Sequence, residues 1–220
     1  MDLTEYGTAV TQNTFGRNNN TYNLIFIYIM PILLKTLLKE ADLNGQNIQV
    51  YLDLDGVMVN FDKGFKKLSG GVSSEDFARV KFNGDVKRAQ REFWILIHKA
   101  GAKWWANLEM MPDGMVFWNF FKKYNPIILT AGQGSAACEG KTEWVHKHLG
   151  PNINPIVANR GVDKWKYITN DPNTIHVLID DTKKNIDAWN NSGEGHVAIL
   201  HTSAADSIRK FTEMYINDGK

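Results

Sequence analysis

The sequence predicts an α/β protein whose central parallel sheet is covered by helices. Three observations carry this. Five short apolar runs, at 48–52, 126–129, 155–157, 176–179 and 196–200, have the length and composition of strands. Helix-like stretches separate the later runs, which implies right-handed crossovers between parallel neighbours. Three of the runs also end in acidic or small polar residues, and the carboxyl ends of the strands are where an open parallel sheet binds its ligands.

With 220 residues the chain suits one domain, or one domain carrying a sizeable insertion. Its 43% hydrophobic and 22% charged residues exclude a disordered chain, a collagen and a multi-span membrane protein. Lys+Arg 25 against Asp+Glu 24 leaves a formal charge of +1, with no basic surplus to track a nucleic-acid backbone. Stable nucleic-acid binding is therefore not expected. The single cysteine, Cys138, cannot form an internal disulfide, which fits a reducing, cytoplasmic compartment. The composition is compatible with a homodimer.

Taken in order, residues 1–29 read as an extension, polar at first and Asn-rich at 18–20. The apolar run at 24–34 is too short for a membrane span, which needs roughly 20 residues, and Pro31 and Lys35 interrupt it. It also lacks the flanks of a signal peptide, so no membrane anchor is expected. Residues 30–45 read as a packing helix that starts at Pro31 and stops at Asn44-Gly45. Ile32, Leu33, Leu34, Leu37 and Leu38 share one face, with Lys35, Lys39 and Glu40 off it. Residues 1–29 are expected to be dispensable.

The first strand, 48–52, ends at Asp53. The interval 57–112 is too long for one crossover and holds a helical pattern at 85–99, with Val86, Ala89, Phe93 and Ile97 apolar. The simplest account is a helical cap at 61–105, inserted after the first strand into a core made of 46–60 and 106–220. The second strand, 126–129, ends at Thr130. A weaker third lies at 155–157. The fourth, 176–179, ends at Asp180, and 196–200 closes the series. Helices are expected at 113–124, 139–149, 182–191 and 204–217, and loops at Gly70-Gly71 and Gly193-Glu194-Gly195.

The strand ends carry the chemistry. Asp53-Leu54-Asp55-Gly56, Thr130-Ala131-Gly132 and Asp180-Asp181 would converge on one edge of the sheet. Two unit charges about 4 Å apart repel by roughly 4 kcal/mol at an effective dielectric of 20, so four carboxylates gathered there call for a cation. Hard oxygen donors, with no histidine or thiolate in the motifs, favour Mg²⁺ over zinc. A calcium loop is excluded, because the sixth position from Asp53 is Met58 where glycine is needed. Alone, Asp-x-Asp-Gly is a common turn, and Asp181 or Thr182 could simply cap the helix that follows. The joint pattern, in this order at the ends of apolar runs, favours function.

Val50-Tyr51-Leu52-Asp53-Leu54-Asp55-Gly56-Val57 resembles motif I of the haloacid dehalogenase-like (HAD) phosphohydrolases. Thr130 in Ile-Ile-Leu-Thr-Ala-Gly resembles their motif II, and Asp180-Asp181 in Val-Leu-Ile-Asp-Asp their motif IV. Within that superfamily the chain is most similar to the 5′(3′)-deoxyribonucleotidases. Phe61 lies eight residues after Asp53, residues 104–114 are similar to the family's re-entry segment from the cap, and 141–151 resemble its Lys, Trp-Val and His-Leu-Gly-Pro helix. The chain departs from the family after Thr130, where Ala131-Gly132-Gln133-Gly134 replaces the usual Ser-Pro or similar pair. For motif III, Asn159-Arg160-Gly161-Val162-Asp163-Lys164 aligns best, which selects Lys164, with Lys166 and Lys141 as alternatives.

The resemblance implies a HAD-like Rossmannoid three-layer fold with a small helical cap. It also implies an Mg²⁺-dependent phosphomonoesterase that dephosphorylates (deoxy)nucleoside monophosphates through an aspartyl-phosphate. On it, Asp53 is the nucleophile and Asp55 the acid and base. Thr130 and the backbone N–H groups of Ala131 and Gly132 hold the phosphoryl oxygens, Lys164 offsets their charge and Lys141 binds substrate. Asp53, Asp55 (through its carbonyl), Asp180 and Asp181 hold the metal. Phe61 and Trp105, with Trp104, are candidates for stacking a base beneath the cap; ordinary core packing is the alternative. A polynucleotide-end or other small-molecule phosphatase, and an inactive HAD-fold binding protein, are the competing readings. Intact Asp53 and Asp55 speak against the last.

Overall fold

The computed structural model describes residues 47–169 and 171–216. The extension at 1–29 and the whole of the helix expected at 30–45 lie outside the described residues.

Five parallel strands form one sheet in the order β3-β2-β1-β4-β5. They are β1 (Asn47–Leu52), β2 (Ile127–Ala131), β3 (Ile156–Ala158), β4 (Thr174–Asp180) and β5 (His196–Leu200). β1 pairs with β4 along its whole length, from Asn47 opposite Thr174 to Leu52 opposite Ile179. Burial on both faces explains the unbroken apolar runs: Val50, Leu52, Val177 and Ile179 are buried, and so are Tyr51, Leu129 and Leu178 on the alternate positions. The chain builds outward from β1 through β2 to β3, then crosses back to β4 on the other side. Right-handed crossovers in opposite directions place helices on both faces and leave a crevice at the point of reversal, between β1 and β4. Asp53 follows one of these strands and Asp180 ends the other.

Between β1 and β2 the chain forms α1 (Phe61–Ser69), α2 (Phe77–Phe82), α3 (Val86–Ala106) and α4 (Gly114–Phe121). Asn60 caps α1, its Oδ1 accepting from the Lys63 N–H at 3.1 Å, and Asp85 caps α3 through the Arg88 N–H at 3.0 Å. Departure and return are tied together. The Asn60 N–H donates to the Glu109 carbonyl at 2.8 Å, the Met111 N–H to that of Met58 at 2.8 Å, and Val59 bridges Met110. α1, α2 and α3 share an aromatic interior in which Phe65 and Phe93 lie 4.4 Å apart and Phe65 and Phe77 5.1 Å.

Two expectations need correction here. The helix expected at 85–99 continues to Ala106 through a kink at Gly101, whose φ of 69° suits glycine. Val86, expected on its packing face, is 67% exposed because it occupies the first turn, at the tip of the helix; Ala89 and Ile97 are buried.

After β2 come α5 (Ser135–His148), a 3₁₀ turn (Gly161–Tyr167) following β3, α6 (Lys183–Asn190) and α7 (Ala204–Tyr215). α5 starts four residues before the expected 139, directly after the turn at Gly134 (φ 80°). Trp144 fastens it to the return segment by donating from Nε1 to the Leu108 carbonyl at 2.9 Å. Trp189 of α6 does the same to the His176 carbonyl at 3.0 Å. Among the described residues, no helix is long and apolar enough to cross a membrane.

Candidate active site

The Asp53 N–H donates to the Ile179 carbonyl at 3.0 Å, extending the β1–β4 ladder one residue beyond the strand. The Asp53 Oδ1 accepts from the Leu54 N–H at 2.8 Å. The chain then turns sharply, with the Met58 and Val59 N–H groups both donating to the Leu54 carbonyl at 2.8 Å. Gly56 makes the turn at φ 75°. A Cβ there would fall 1.8 Å from the Asp181 Oδ2, so glycine is what lets the first and fourth strand ends close on each other.

Two buried ammonium groups organise the carboxylates. Lys164, 1% exposed on the 3₁₀ turn, places Nζ 2.9 Å from the Asp53 Oδ1 and 2.6 Å from the Asp180 Oδ2. Asp180 is fully buried and also accepts from the Thr182 N–H at 2.8 Å and from Asn185 Nδ2 at 3.0 Å. Lys141, reaching in from α5, places Nζ 2.5 Å from the Asp55 Oδ2 and 2.9 Å from the Thr130 Oγ1. The second Asp55 oxygen, Oδ1, is buried and has no hydrogen-bond partner among the described residues.

Burial and crowding set the protonation of these groups. Burial raises the Asp55 pKa, with Lys141 opposing and Asp53 adding to the rise. Asp180 is raised by burial and by Asp53, against the pull of Lys164. For Lys164 burial works against the charged form, but Asp53 and Asp180 outweigh it and its pKa rises. Asp181 opens toward the cleft, yet the protein packed around it withholds water. That loss, with the charges of Asp53 and Asp180, pushes its pKa up to about 7.

Asp53, Asp180 and Asp181 each offer an oxygen within 4.8 Å of the others. Four carboxylates (Asp53, Asp55, Asp180, Asp181) against two ammonium groups (Lys141, Lys164) leave a charge of −2 when all are ionised. All the donors facing that deficit are hard oxygens. The site thus fits a divalent cation of the Mg²⁺ kind in both charge and chemistry.

A cleft of about 770 Å³ opens over this centre. Asp53, Asp55 and Gly56 form its floor on the sheet side, and Phe61, Phe93, Trp94 and Trp105 face them from the helices. Of the three candidate lysines, Lys164 and Lys141 enter the site. Lys166 does not: it is exposed and pairs with Asp163 at 2.8 Å.

The backbone expectation at Gly132 needs correction. Its N–H donates to the Ala158 carbonyl at 2.9 Å, continuing the β2–β3 ladder, and is not free for an anion. Glycine is needed there because a Cβ would lie 2.9 Å from that of Ala137. Ala131 and Gln133 do line the cleft. Thr182 stands at the N-cap of α6 without a side-chain capping bond; its Oγ1 donates to the Asp181 Oδ1 at 3.1 Å and its N–H to the Asp180 Oδ1 at 2.8 Å.

Asn185 escaped the sequence reading. Its Nδ2 lies 3.0 Å from both Asp180 oxygens, and Gly161 leaves it room, since a Cβ there would fall 2.5 Å from the Asn185 amide. The available signal was a polar residue in the first turn of the helix after Asp180-Asp181, facing back toward the strand end.

Fold and site together define a parallel α/β protein with a carboxylate–ammonium centre at the reversal point of its sheet. No family model matches the chain, and no curated protein does. Among solved structures it is similar to a protein described as a haloacid dehalogenase-like hydrolase from Burkholderia xenovorans LB400, with 10% identity and a TM-score of 0.48 over 79% of this chain and 89% of that one. It is also similar to a protein described as a β-phosphoglucomutase from Thermotoga maritima (13%, TM-score 0.44, 76% and 99%) and to a HAD-superfamily hydrolase from Ehrlichia chaffeensis (13%, TM-score 0.43, 78% and 98%). At these values the likenesses carry no assignment of activity.

Proposed function

We propose that the chain is a HAD-like, Mg²⁺-dependent phosphomonoesterase acting on (deoxy)nucleoside monophosphates. The observation that carries the reading is the double ion-pair centre: Asp53–Lys164–Asp180 beside Asp55–Lys141–Thr130, at the reversal point of a parallel sheet, short of two positive charges.

Asp53 attacks phosphorus, forming an aspartyl-phosphate as the ester P–O bond breaks. Lys164 and the Leu54 N–H hold its carboxylate in one orientation. Asp55 gives its proton to the leaving oxygen and then takes one from the water that hydrolyses the acyl phosphate. A carboxyl with raised pKa and one unpartnered oxygen suits that exchange. Thr130 Oγ and Lys141 Nζ hold phosphoryl oxygens. Asp53, Asp180, Asp181 and the Asp55 carbonyl would hold Mg²⁺, which supplies the charge that lets an anionic nucleophile approach an anionic ester. Phe61 is half-buried on the cleft wall and offers a face for a base, a contact worth about 1–3 kcal/mol.

The test is a panel of nucleoside 5′- and 3′-monophosphates, oligonucleotide ends, sugar phosphates and an aryl phosphate, each with Mg²⁺ and with EDTA. Metal-dependent release of phosphate from nucleotides is expected, and Phe61→Ala should raise KM for nucleotides more than for the aryl phosphate. No release from any of these compounds would end the enzymatic reading, and equal KM effects would end the base-pocket part of it.

A further inference from the structure

Trp105 lines the cleft, yet it is only 4% exposed and its ring face is already occupied. The Lys141 ammonium lies 4.7 Å from the centre of that ring. The other sides of the ring are packed, with Trp104 at 4.7 Å and Phe61 at 5.7 Å. One residue before Lys141, α5 presses directly on α3: a Cβ on Gly140 would fall 2.2 Å from the Ala102 carbonyl oxygen and 2.5 Å from the Trp105 Cβ. Lys141 and Trp105 are thus locked together at the backbone as well as at the side chain.

The ammonium sits on a flexible four-carbon stem with rotatable donors, so something must choose among its positions. Its two oxygen partners, Asp55 and Thr130, define the useful one. Trp is the strongest cation–π partner, and its attraction grows where water is excluded, as it is around this 3%-exposed lysine side chain. We infer that Trp105 is a positioning residue: it holds the Lys141 ammonium against Asp55 and Thr130 and is not a surface on which substrate stacks. The inference rests on the phosphomonoesterase reading and deepens it. It ties the placement of α3 to the acid–base residue, because the same helix that walls the cleft carries the platform beneath the lysine.

The experiment compares Trp105→Leu, Trp105→Phe, Lys141→Met and the double variant Trp105→Leu/Lys141→Met. Each is assayed on a nucleoside monophosphate and on an aryl phosphate, with Mg²⁺ present. Trp105→Leu should lower kcat about thirtyfold on both substrates, the loss expected for one desolvated cation–π contact, with KM unchanged. Trp105→Phe should recover most of that loss, and the double variant should be no worse than Lys141→Met. A rise in KM confined to the nucleotide, or losses that multiply in the double variant, would overturn the inference. If Trp105→Leu does not fold, the same cycle built on Trp105→Met, which also removes the ring, decides. Independently of turnover, the Lys141 ε-methylene protons should resonate upfield of the other lysines; an ordinary shift overturns the contact. Wild-type protein inert on both substrates would overturn the enzymatic reading, whereas normal turnover without Trp105–Lys141 coupling overturns this inference alone.

Discussion

Replacing Lys164 by methionine removes one ammonium while keeping most of the volume, and its cost can be worked from the geometry. Nζ lies 2.9 Å from Asp53 and 2.6 Å from Asp180, and the three side chains are 1%, 8% and 0% exposed. Water cannot take over the lost contacts. Removing one partner from a buried ion pair costs about 3–5 kcal/mol, because the charge left behind is uncompensated. The Coulomb estimate agrees: two carboxylates about 4 Å apart repel by roughly 4 kcal/mol at an effective dielectric of 20. At about 2–4 °C per kcal/mol for a chain of this size, Tm should fall by about 6–20 °C. Thermal unfolding followed by circular dichroism measures it, with Lys66→Met as the control. The Lys66–Asp62 pair is as short, at 2.8 Å, but its side chains are 47% and 41% exposed, so that variant should leave Tm almost unchanged. The deficit of Lys164→Met should grow from pH 5 to pH 8. Without the lysine's opposing pull, burial and the Asp53 charge leave Asp180 binding its proton more tightly folded than unfolded, so stability is retained at low pH and lost as it ionises. Millimolar Mg²⁺ should restore part of it. A loss below about 1 kcal/mol, or one equal to that of Lys66→Met, would refute the claim that buried charge pairing organises this site.

Three further outcomes follow from the same geometry. Asp53→Asn should reduce phosphatase turnover to background with Tm nearly unchanged, because Asp180 still partners Lys164; wild-type turnover of an aryl phosphate would remove Asp53 as the nucleophile. Gly56→Ala should cost about 1–2 kcal/mol for a non-glycine residue at positive φ, and it should also push Asp181 aside, so isothermal titration should show weaker Mg²⁺ binding than in the wild type. His201 is 5% exposed and bonded to the Ser207 Oγ at 2.9 Å, and burial lowers its pKa, with Asp113 and Asp206 opposing. The folded state therefore binds protons less readily than the unfolded one. Its contribution is complete above a pH of about 6.5 and is lost as pH falls below that value. His201→Asn should flatten this part of a Tm-against-pH curve; His176 and His196, lowered in the same direction, should keep the rest.

Much of the fold was legible because a parallel sheet buried on both faces writes its strands as continuous apolar runs. β5 was read at its observed bounds, and the other four within two residues at each end. Errors gathered where local pattern and packing part company. Val86 has the right period for a core position, but it is the first residue of its helix and is 67% exposed. Residues 135–138, small and without periodic apolar signal, are nonetheless drawn into α5 by the turn at Gly134.

By itself, the sequence determined the polar edge. An apolar run ending in Asp53, Thr130 or Asp180 can point its last residue only to the carboxyl end of a parallel strand, so the three ends had to share one rim. Which cation faces which carboxylate was beyond it. Lys164 meets Asp180 across 16 residues, and Lys141 meets Asp55 across 86. Contacts over such separations depend on how β3 and α5 dock against β1, which no local spacing encodes. The same holds for Asn185 behind Asp180, and for the Gly132 N–H, spent on Ala158 once β3 is in place. Only the tertiary structure could balance four carboxylates against two buried lysines and leave room for two positive charges, because charge compensation depends on distance in space and not on position along the chain.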